Sequence, residues 1–262
     1  MIENYQTLII LVVSFLASML TFYSGFGLGT ILTPVFALFF PLPIAIGLTA
    51  IVHLLNNLFK LSLTFKNINQ YILVRFGIPG IFAALIGALS LENLKQYDQT
   101  IYCSLLNYSF TLYLSNIILG SIILIFVLIE ILPFLKNLNF NRDKMIVGGL
   151  LSGFFGGLSG HQGAFRSMFL VKSGLDKESF IATGIVIACF IDCVRIPVYI
   201  FQGELQTSFI KVETLLLPIL AAFAGAYLGN RYLKKVTIVG IQYFVSIFLV
   251  IIAIFIIFGE GH

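Results

Sequence analysis

Six ionisable side chains lie inside long apolar stretches of this sequence: His53, Lys60, His161, Arg166, Asp192 and Arg195. Charge inside a bilayer is costly, so such residues usually face a transport path or an ionic partner. The Arg166 guanidinium can bind a carboxylate or sulfonate through two parallel N–H bonds. His161 can donate to an anion, and its charge changes near neutral pH. These residue types favour an anion-binding site, with His161, Asp192 and His53 as candidates for coupling to protons.

Several of these residues also have a purely structural interpretation, which stays open. Asp192 and Arg195 are three residues apart on one helical face, so they can form an internal ion pair. His161 can be a buried histidine whose ring is satisfied by its surroundings. Lys60 lies close to a polar loop, and we expect its ammonium group to reach the membrane interface.

His53, Asn56 and Asn57 share one face of the third apolar segment. Neutral amides bind anions as hydrogen-bond donors, but they also join membrane helices to each other. Both interpretations are open. We include Asn57 and Arg195 among the expected substrate-binding residues.

Two glycine-rich breaks interrupt the apolar helices. They read Ser24-Gly25-Phe26-Gly27-Leu28-Gly29 and Ser159-Gly160-His161-Gln162-Gly163. A helix that begins at such a break presents unpaired N–H groups and the positive end of its dipole inside the membrane. We therefore expect the anion to bind at the breaks, through Gly25, Phe26, Gly27, Gly29, His161, Gln162, Gly163 and Arg166. The alternative is close helix packing through small residues, which we assign to the stretches 149–153 and 225–229.

The composition predicts a polytopic membrane protein. Hydrophobic residues make up 59% of the 262 residues, charged residues make up 10%, and the mean hydropathy is +1.05. Long continuous apolar runs favour helices, which satisfy their own backbone groups in lipid. The net charge of +4 comes from Lys and Arg between these runs, so it does not indicate nucleic-acid binding. Because the chain begins without a basic region, we expect the first apolar run to remain in the protein.

Ten apolar segments divide equally between the two halves of the chain. They cover about 5–23, 27–40, 44–65, 76–91 and 111–135, and then 144–158, 164–172, 179–201, 212–230 and 236–258. A full span takes about 20 residues, so segments 27–40, 144–158 and 164–172 are too short. The predicted fold is an all-α polytopic membrane protein with two structural repeats. Each repeat is a glycine-broken helical hairpin, re-entrant or short, followed by three transmembrane helices.

An offset of 135 residues aligns the two halves, and it drifts to 138 further along the chain. The matched positions are Ser24-Gly25 with Ser159-Gly160, Asn57 with Asp192, Lys60 with Arg195, and Gly87-Ala88 with Gly225-Ala226. We predict a first membrane repeat over 1–135, a cytoplasmic linker over 136–143 and a second repeat over 144–262. Three crossings in each half would invert one repeat relative to the other, as in many secondary transporters.

The basic residues of the loops predict the orientation in the membrane. If each hairpin returns to the side that it came from, ten Lys and Arg residues lie on one side and two on the other. Positively charged loops stay in the cytoplasm. The N- and C-termini are therefore predicted to lie outside the cytoplasm, in a multi-pass protein of the cell inner (plasma) membrane.

Motifs for covalent or ATP-driven chemistry are missing from the sequence. It contains no HExxH, no G-x-S-x-G and no P-loop, so we expect no enzyme, no cofactor and no metal. Cys189 and Cys193 lie four residues apart and are interpreted as small packing residues, rather than a thiol pair or soft-metal site. The expected partners are a small anionic substrate and the lipid bilayer, as a monomer or homodimer, with no nucleic acid.

The chain resembles the TauE/SafE membrane proteins, which are often described as sulfite exporters. The resemblance rests on Ser24-Gly25-Phe26-Gly27-Leu28-Gly29 with Pro34, on Ala45–Thr49, and on a second-half counterpart in Gly153–Gly160 with Ala182-Thr183. It covers nearly the whole chain. The family usually continues the second break with a Gly-x-Gly-Gly-Gly run, whereas this sequence has His161, Gln162 and Arg166 there. That departure points to a narrower or different substrate.

The resemblance implies transport of small sulfur-containing anions such as sulfite or organosulfonates, usually outward. We expect a secondary transporter that alternates access around the two breaks. A passive anion channel and a non-transporting membrane component are the alternatives. A flux against a substrate gradient would exclude the channel, and a solvent-accessible cavity that reaches both breaks would argue against the non-transporting component.

Overall fold

A computed structural model of the chain describes residues 2–22, 27–64, 67–96, 99–105, 108–131, 144–203, 205, 212–232 and 238–258. Five helices form the first half: α1 (Ile2–Leu20), α2 (Leu28–Ala37), α3 (Leu42–Thr64), α4 (Gln70–Ile72, a π-helical turn Leu73–Gly77 and Ile78–Gln96) and α5 (Leu114–Ile131). Five more form the second half: α6 (Met145–Ser159), α7 (Gly163–Leu170, with a 3₁₀ turn Val171–Ser173), α8 (Lys177–Phe201), α9 (Val212–Tyr232) and α10 (Ile238–Phe258). The predicted linker over 136–143 lies outside the described residues, as do Gly25 and Phe26.

Four of the described helices are long and apolar enough to cross a bilayer. They are α3, the part of α4 that covers Gln70–Leu94, α8 and α9. In contrast, α2 has 10 residues and α7 has 8. At about 1.5 Å per residue these two helices reach roughly half of the hydrocarbon thickness. The protein is a multi-pass helical membrane protein, as its composition predicts.

A β-hairpin that the sequence analysis did not predict precedes α5. Its strands are β1 (Thr100–Leu105) and β2 (Tyr108–Tyr113), which pair antiparallel with Thr100 opposite Tyr113. Aromatic and β-branched residues, which favour extended backbone, make up half or more of each strand. The prediction of a helical segment that begins at residue 111 is therefore wrong by three residues, because α5 begins at Leu114.

Helices from one half of the chain pack on helices from the other half. Helix α1 lies on α9, α4 lies on α6, α3 lies on α8 and α5 lies on α10. Glycines allow the first two of these contacts to be very close. A Cβ added at Gly149 or Gly153 would collide with the backbone of α4, and one at Gly225 or Gly229 would collide with the backbone of α1. The assignment of these glycines to helix packing is confirmed.

Candidate anion-binding site

The two glycine-rich breaks meet inside the fold. Gly27 caps the start of α2, and Gly160 follows α6 with a φ of +82°, a left-handed conformation that suits glycine. A Cβ added at Gly29 would lie 3.3 Å from the carbonyl oxygen of Gly160. The first turn of α2 is therefore in contact with the end of α6, so the first break abuts the second.

A pocket beside this contact holds two buried cations. About 300 Å³ of empty space lies in and around it, and this volume includes open solvent. The side chains of Lys60 and Arg166 line it, and each residue is 4% exposed. The other residues that line it are Thr21, Phe22, Leu28, His53, Asn57 and Ile185. Because no described residue in this lining is acidic, the pocket is electropositive.

Lys60 lies in the pocket and does not reach toward the membrane interface. Its ammonium nitrogen is 5.6 Å from the centroid of the Phe22 ring, within the range of a cation–π contact. Besides this ring, no partner of the Lys60 ammonium group is found in the part of the chain that the structure describes, while the Lys60 carbonyl accepts a hydrogen bond from Oγ1 of Thr64 at 3.0 Å. The prediction that Lys60 extends to the interface is wrong, because helix packing buries its side chain next to Arg166.

The beginning of α2 also faces the pocket. Leu28 is the first residue of α2 and lines the pocket. The first intrahelical bond runs from the Ile31 N–H to the Gly27 carbonyl, at 2.9 Å. The N–H groups that precede Ile31 in this turn have no acceptor within the helix, and the positive end of the helix dipole lies here. This end of α2 adds to the positive potential that Lys60 and Arg166 produce.

Behind the pocket, Asp192 joins residues from three helices or their ends. Nδ1 of His53 lies 2.6 Å from Oδ2 of Asp192. Nε of Arg195 donates to Oδ1 at 2.9 Å, and Nε2 of Gln162 donates to the same oxygen at 3.1 Å. Since a carboxylate accepts hydrogen bonds, the proton of the His53 ring belongs on Nδ1. Asp192 and Arg195, both fully buried, form the internal ion pair that their spacing allows.

Two amide side chains connect this ion pair with the pocket. Nη1 of Arg166 donates to Oε1 of Gln162 at 3.1 Å, so Gln162 joins Arg166 to Asp192. The amide nitrogen of Asn57 lies 3.2 Å from Nε2 of His53, which can accept from it. Both ring nitrogens of His53, a residue that lines the pocket, therefore have a hydrogen-bond partner. Hydrogen bonds therefore link two residues of the pocket lining, Arg166 and His53, to Asp192.

The buried charges do not balance. Among the described residues that are buried, three are cations (Lys60, Arg166 and Arg195) and one is a carboxylate (Asp192). The formal surplus is two positive charges when the histidines are neutral. Buried basic side chains create a positive potential, which attracts anions. The arrangement can therefore accept a negatively charged ligand at the pocket.

The sulfite exporter TauE/SafE family model matches residues 10–256 of the chain. The chain belongs to the TauE/SafE family. The match extends from within α1 to within α10, so it includes the pocket and both breaks. TauE/SafE is a family of transporters rather than enzymes, and it suggests a membrane exporter of sulfite or a related anion. No curated protein and no solved structure matches the chain.

In this TauE/SafE protein, some of the predicted substrate-binding residues line the pocket and others do not. His53, Asn57 and Arg166 line the pocket, and Gly27, Gly29 and Gln162 adjoin it. Gly163 is buried at the start of α7, outside the lining. Arg195 faces Asp192 and donates to the carbonyl of Gly156 at 3.0 Å. The roles of all these residues in substrate binding stay predictions.

His161 is buried and is not among the residues that line the pocket. Its ring stacks on Phe126, with the centroids 5.4 Å apart and the planes at 18°. Its Nδ1 is 2.9 Å from the carbonyl oxygen of Ser159. Its Nε2 is buried and has no hydrogen-bond partner among the described residues. The ring is therefore only partly satisfied by its surroundings, and it lies outside the pocket lining.

The sequence analysis of this TauE/SafE member left Lys60 out of the expected site. The repeat alignment could have pointed to it. That alignment matches Lys60 with Arg195, and both residues lie within apolar segments. No cluster of His, Cys, Asp and Glu that could hold a metal ion is found in the described ranges.

Proposed function

We propose that this TauE/SafE protein is a secondary transporter that exports a small sulfur-containing anion, such as sulfite or an organosulfonate. The observation that carries the proposal is that two buried basic residues, Lys60 and Arg166, line one pocket. The N-terminal end of α2 faces the same space. A membrane potential that is negative inside drives an anion outward by about 2.3 kcal/mol per charge per 100 mV, so export needs no ATP.

We also propose that the two halves, 1–135 and 144–262, are inverted repeats that move around the site. The helix contacts support this. If helices α1 to α5 of the first half correspond to α6 to α10 of the second half, each contact between the halves is matched by an equivalent contact. The contact of α1 with α9 then corresponds to that of α6 with α4. The contacts of α3 with α8 and of α5 with α10 correspond to themselves. Such exchange is what a two-fold axis between the repeats requires.

The positions of two glycines add support for the repeat. A Cβ at Gly87 would collide with the carbonyl of Phe154 across the contact of α4 and α6. A Cβ at Gly225 would collide with the carbonyl of Phe15 across the contact of α9 and α1. Gly87 and Gly225 are matched by the repeat alignment, so two matched glycines make the same kind of close contact with a neighbouring helix. Alternating access would follow if the halves rock about the abutting breaks.

The remaining expectations complete the proposal. The uneven distribution of Lys and Arg supports an inner (plasma) membrane protein whose two termini lie outside the cytoplasm, with a cytoplasmic linker over 136–143. His53 and Asp192 are the proposed carriers of a coupled proton. A monomer and a homodimer are both compatible with the site, since the residues that form it come from one chain.

The test is transport of labelled sulfite in proteoliposomes that contain the wild-type protein or the Arg166→Ala variant. We expect the variant to lose at least about tenfold in transport rate, because a charge-assisted contact to the anion is removed. The matched control is Arg75→Ala, which removes an exposed arginine that stacks on Tyr71.

Two results would overturn parts of this proposal. Wild-type sulfite transport that Arg166→Ala leaves unchanged would remove Arg166 from the site. An absence of flux of sulfite and of organosulfonates in wild-type vesicles would contradict anion transport itself. Accumulation against a sulfite gradient, under an imposed proton gradient, would separate a secondary transporter from a passive channel.

A further inference from the structure

We propose that Asn57 and Lys60 are the first-half counterpart of the Asp192–Arg195 ion pair, without its carboxylate, and that the bound anion takes the place of that carboxylate. This inference rests on the proposed function of the pocket as the anion site. It names Lys60 as the direct counter-ion of the ligand and adds small carboxylates to the class of anions that the pocket accepts.

The repeat alignment matches the two pairs position by position. An offset of 135 places Asn57 on Asp192 and Lys60 on Arg195, so each pair has the same spacing of three residues. The first pair lies on α3 and the second on α8, the third helix of each half. Residues three apart on a helix are neighbours on one face. The matched helices therefore present an amide beside a lysine in one half and a carboxylate beside an arginine in the other.

In the second half the ion pair is complete. Nη2 of Arg195 lies 2.8 Å from Oδ1 of Asp192, and Nε of Arg195 donates to the same oxygen at 2.9 Å. Both residues are fully buried. A buried cation is costly without a counter-ion, and this arginine has one within its own helix.

In the first half the equivalent carboxylate is absent from the sequence. Asn57 has a neutral amide, whose nitrogen lies 3.2 Å from Nε2 of His53. The ammonium group of Lys60 lies against the Phe22 ring, with no hydrogen-bond or acidic partner among the described residues, although the residue is only 4% exposed. Asn57 and Lys60 both line the pocket. An anion in the pocket would therefore supply an acceptor to the ammonium group.

Arg166 has a different place at the same pocket. Its Nη1 donates to Oε1 of Gln162, whose amide nitrogen donates to Asp192. Arg166 adds to the positive potential of the pocket, but the alignment matches Lys60 with the arginine of the ion pair. The negative group of the ligand is therefore placed at Lys60 and Asn57.

The first test uses the wild-type protein and acetate, which carries the same carboxylate as an aspartate side chain. Methanesulfonate binding to the purified full-length protein is measured by calorimetry at a mildly acidic pH, which favours the charged form of Lys60 and leaves both anions ionised. We expect acetate to compete and to lower the apparent affinity for methanesulfonate at least about threefold. Gluconate at the same concentration is the control, since it keeps the ionic strength and the carboxylate but is far larger. Sulfite replaces methanesulfonate as the reporter if it alone binds.

The second test adds the carboxylate to the chain. In the Asn57→Asp variant, the new carboxylate can pair with Lys60 on the same face of α3, so it competes with a ligand. We expect this variant to lose at least about thirtyfold in affinity for methanesulfonate and for acetate. The matched variant Asn57→Ala removes the amide without adding a charge and should lose only about three- to fivefold. Lys60→Gln should lose at least about tenfold, because the counter-ion of the ligand is removed.

Three results would overturn the inference while leaving anion binding intact. Acetate that competes no better than gluconate in the wild type would show that the site does not accept a carboxylate. Equal losses in Asn57→Asp and Asn57→Ala would show that the added charge has no effect. Unchanged affinities in Lys60→Gln would show that this lysine is not the counter-ion.

Binding of neither methanesulfonate nor sulfite to the wild type would instead contradict the proposed function. Because the wild-type competition alone can overturn the inference, a poorly folded variant does not leave it open.

Discussion

His53 and Asp192 stand 139 residues apart in the chain, yet Nδ1 of His53 lies 2.6 Å from the Asp192 carboxylate. The contact joins α3 to α8, the third helices of the two halves. His53 lines the pocket, whereas Asp192 lies behind it with Arg195 and Gln162. The two halves of the chain are therefore connected through hydrogen-bonded charged groups directly beside the candidate anion site.

Replacing Asp192 by Asn should strongly destabilise the protein. Arg195 would then be a fully buried cation without its carboxylate, a change that typically costs about 3–5 kcal/mol. Thermal unfolding in detergent measures the effect. The control Glu178→Gln removes an exposed carboxylate near the start of the same helix, where it accepts a hydrogen bond from Asn67, and should have little effect. Equal melting temperatures for wild type and Asp192→Asn would show that the ion pair does not stabilise the fold.

A second prediction separates the two histidines by the pH dependence of anion binding. The proton on His53 belongs on Nδ1, toward Asp192, so acidification would add a proton at Nε2 and a further positive charge beside Lys60 and Arg166. We expect the affinity for methanesulfonate, whose own charge does not change, to rise as the solution is made acidic. The measurement is calorimetric titration at several pH values.

The variants decide which histidine is responsible. His53→Gln should flatten the dependence on pH, while His161→Gln should leave it in place because His161 stacks on Phe126 outside the pocket lining. The opposite pattern, with the dependence lost in His161→Gln, would assign proton coupling to the second break. Acidification that weakens wild-type binding would contradict the sign of the effect.

A third prediction concerns Gly160 at the contact of the two breaks. An alanine Cβ there would lie 3.1 Å from Nη1 of Arg195 and 3.2 Å from Oγ1 of Thr33, and the φ of +82° disfavours any side chain. We expect Gly160→Ala to lose most of its transport activity. Gly174→Ala is a matched control, since Gly174 also has a positive φ of 75° but lies after the short turn that ends α7. If both variants lost transport to a similar extent, backbone strain alone would explain the loss, and the contact of the two breaks would not be needed.

A fourth prediction tests the corresponding glycines of the two repeats. Gly87→Ala and Gly225→Ala should each destabilise the protein by about 1–3 kcal/mol, because each new methyl group would overlap a backbone carbonyl of the neighbouring helix. Gly77→Ala is the control, since its Cβ would meet its nearest neighbour, in Leu73, at 3.6 Å, an ordinary contact. Denaturant or thermal unfolding in detergent gives the comparison. Stabilities of Gly87→Ala and Gly225→Ala that match Gly77→Ala would contradict close packing at these two contacts.

Much of the fold was predictable because it depends on local properties of the chain. Long apolar runs must form helices in lipid, and glycine-rich breaks end them, so most predicted segments agree with α1 to α10 within a few residues. The β-hairpin was missed because its strands are short and half apolar, and their pairing depends on a turn rather than on a periodic pattern. Arg166 was expected at the site because an arginine inside an apolar run rarely lacks an ionic function.

Other features depended on how the helices rotate and tilt against one another. A single helix does not reveal which neighbour its buried polar residues face, since that direction is set by contacts between distant segments. Helix packing turns Lys60 into the pocket beside Arg166 and brings His53 to Asp192. It turns His161 away, against Phe126. The sequence by itself determined a helical membrane protein with paired breaks and buried cations, whereas the tertiary structure decided which of those charges share one pocket.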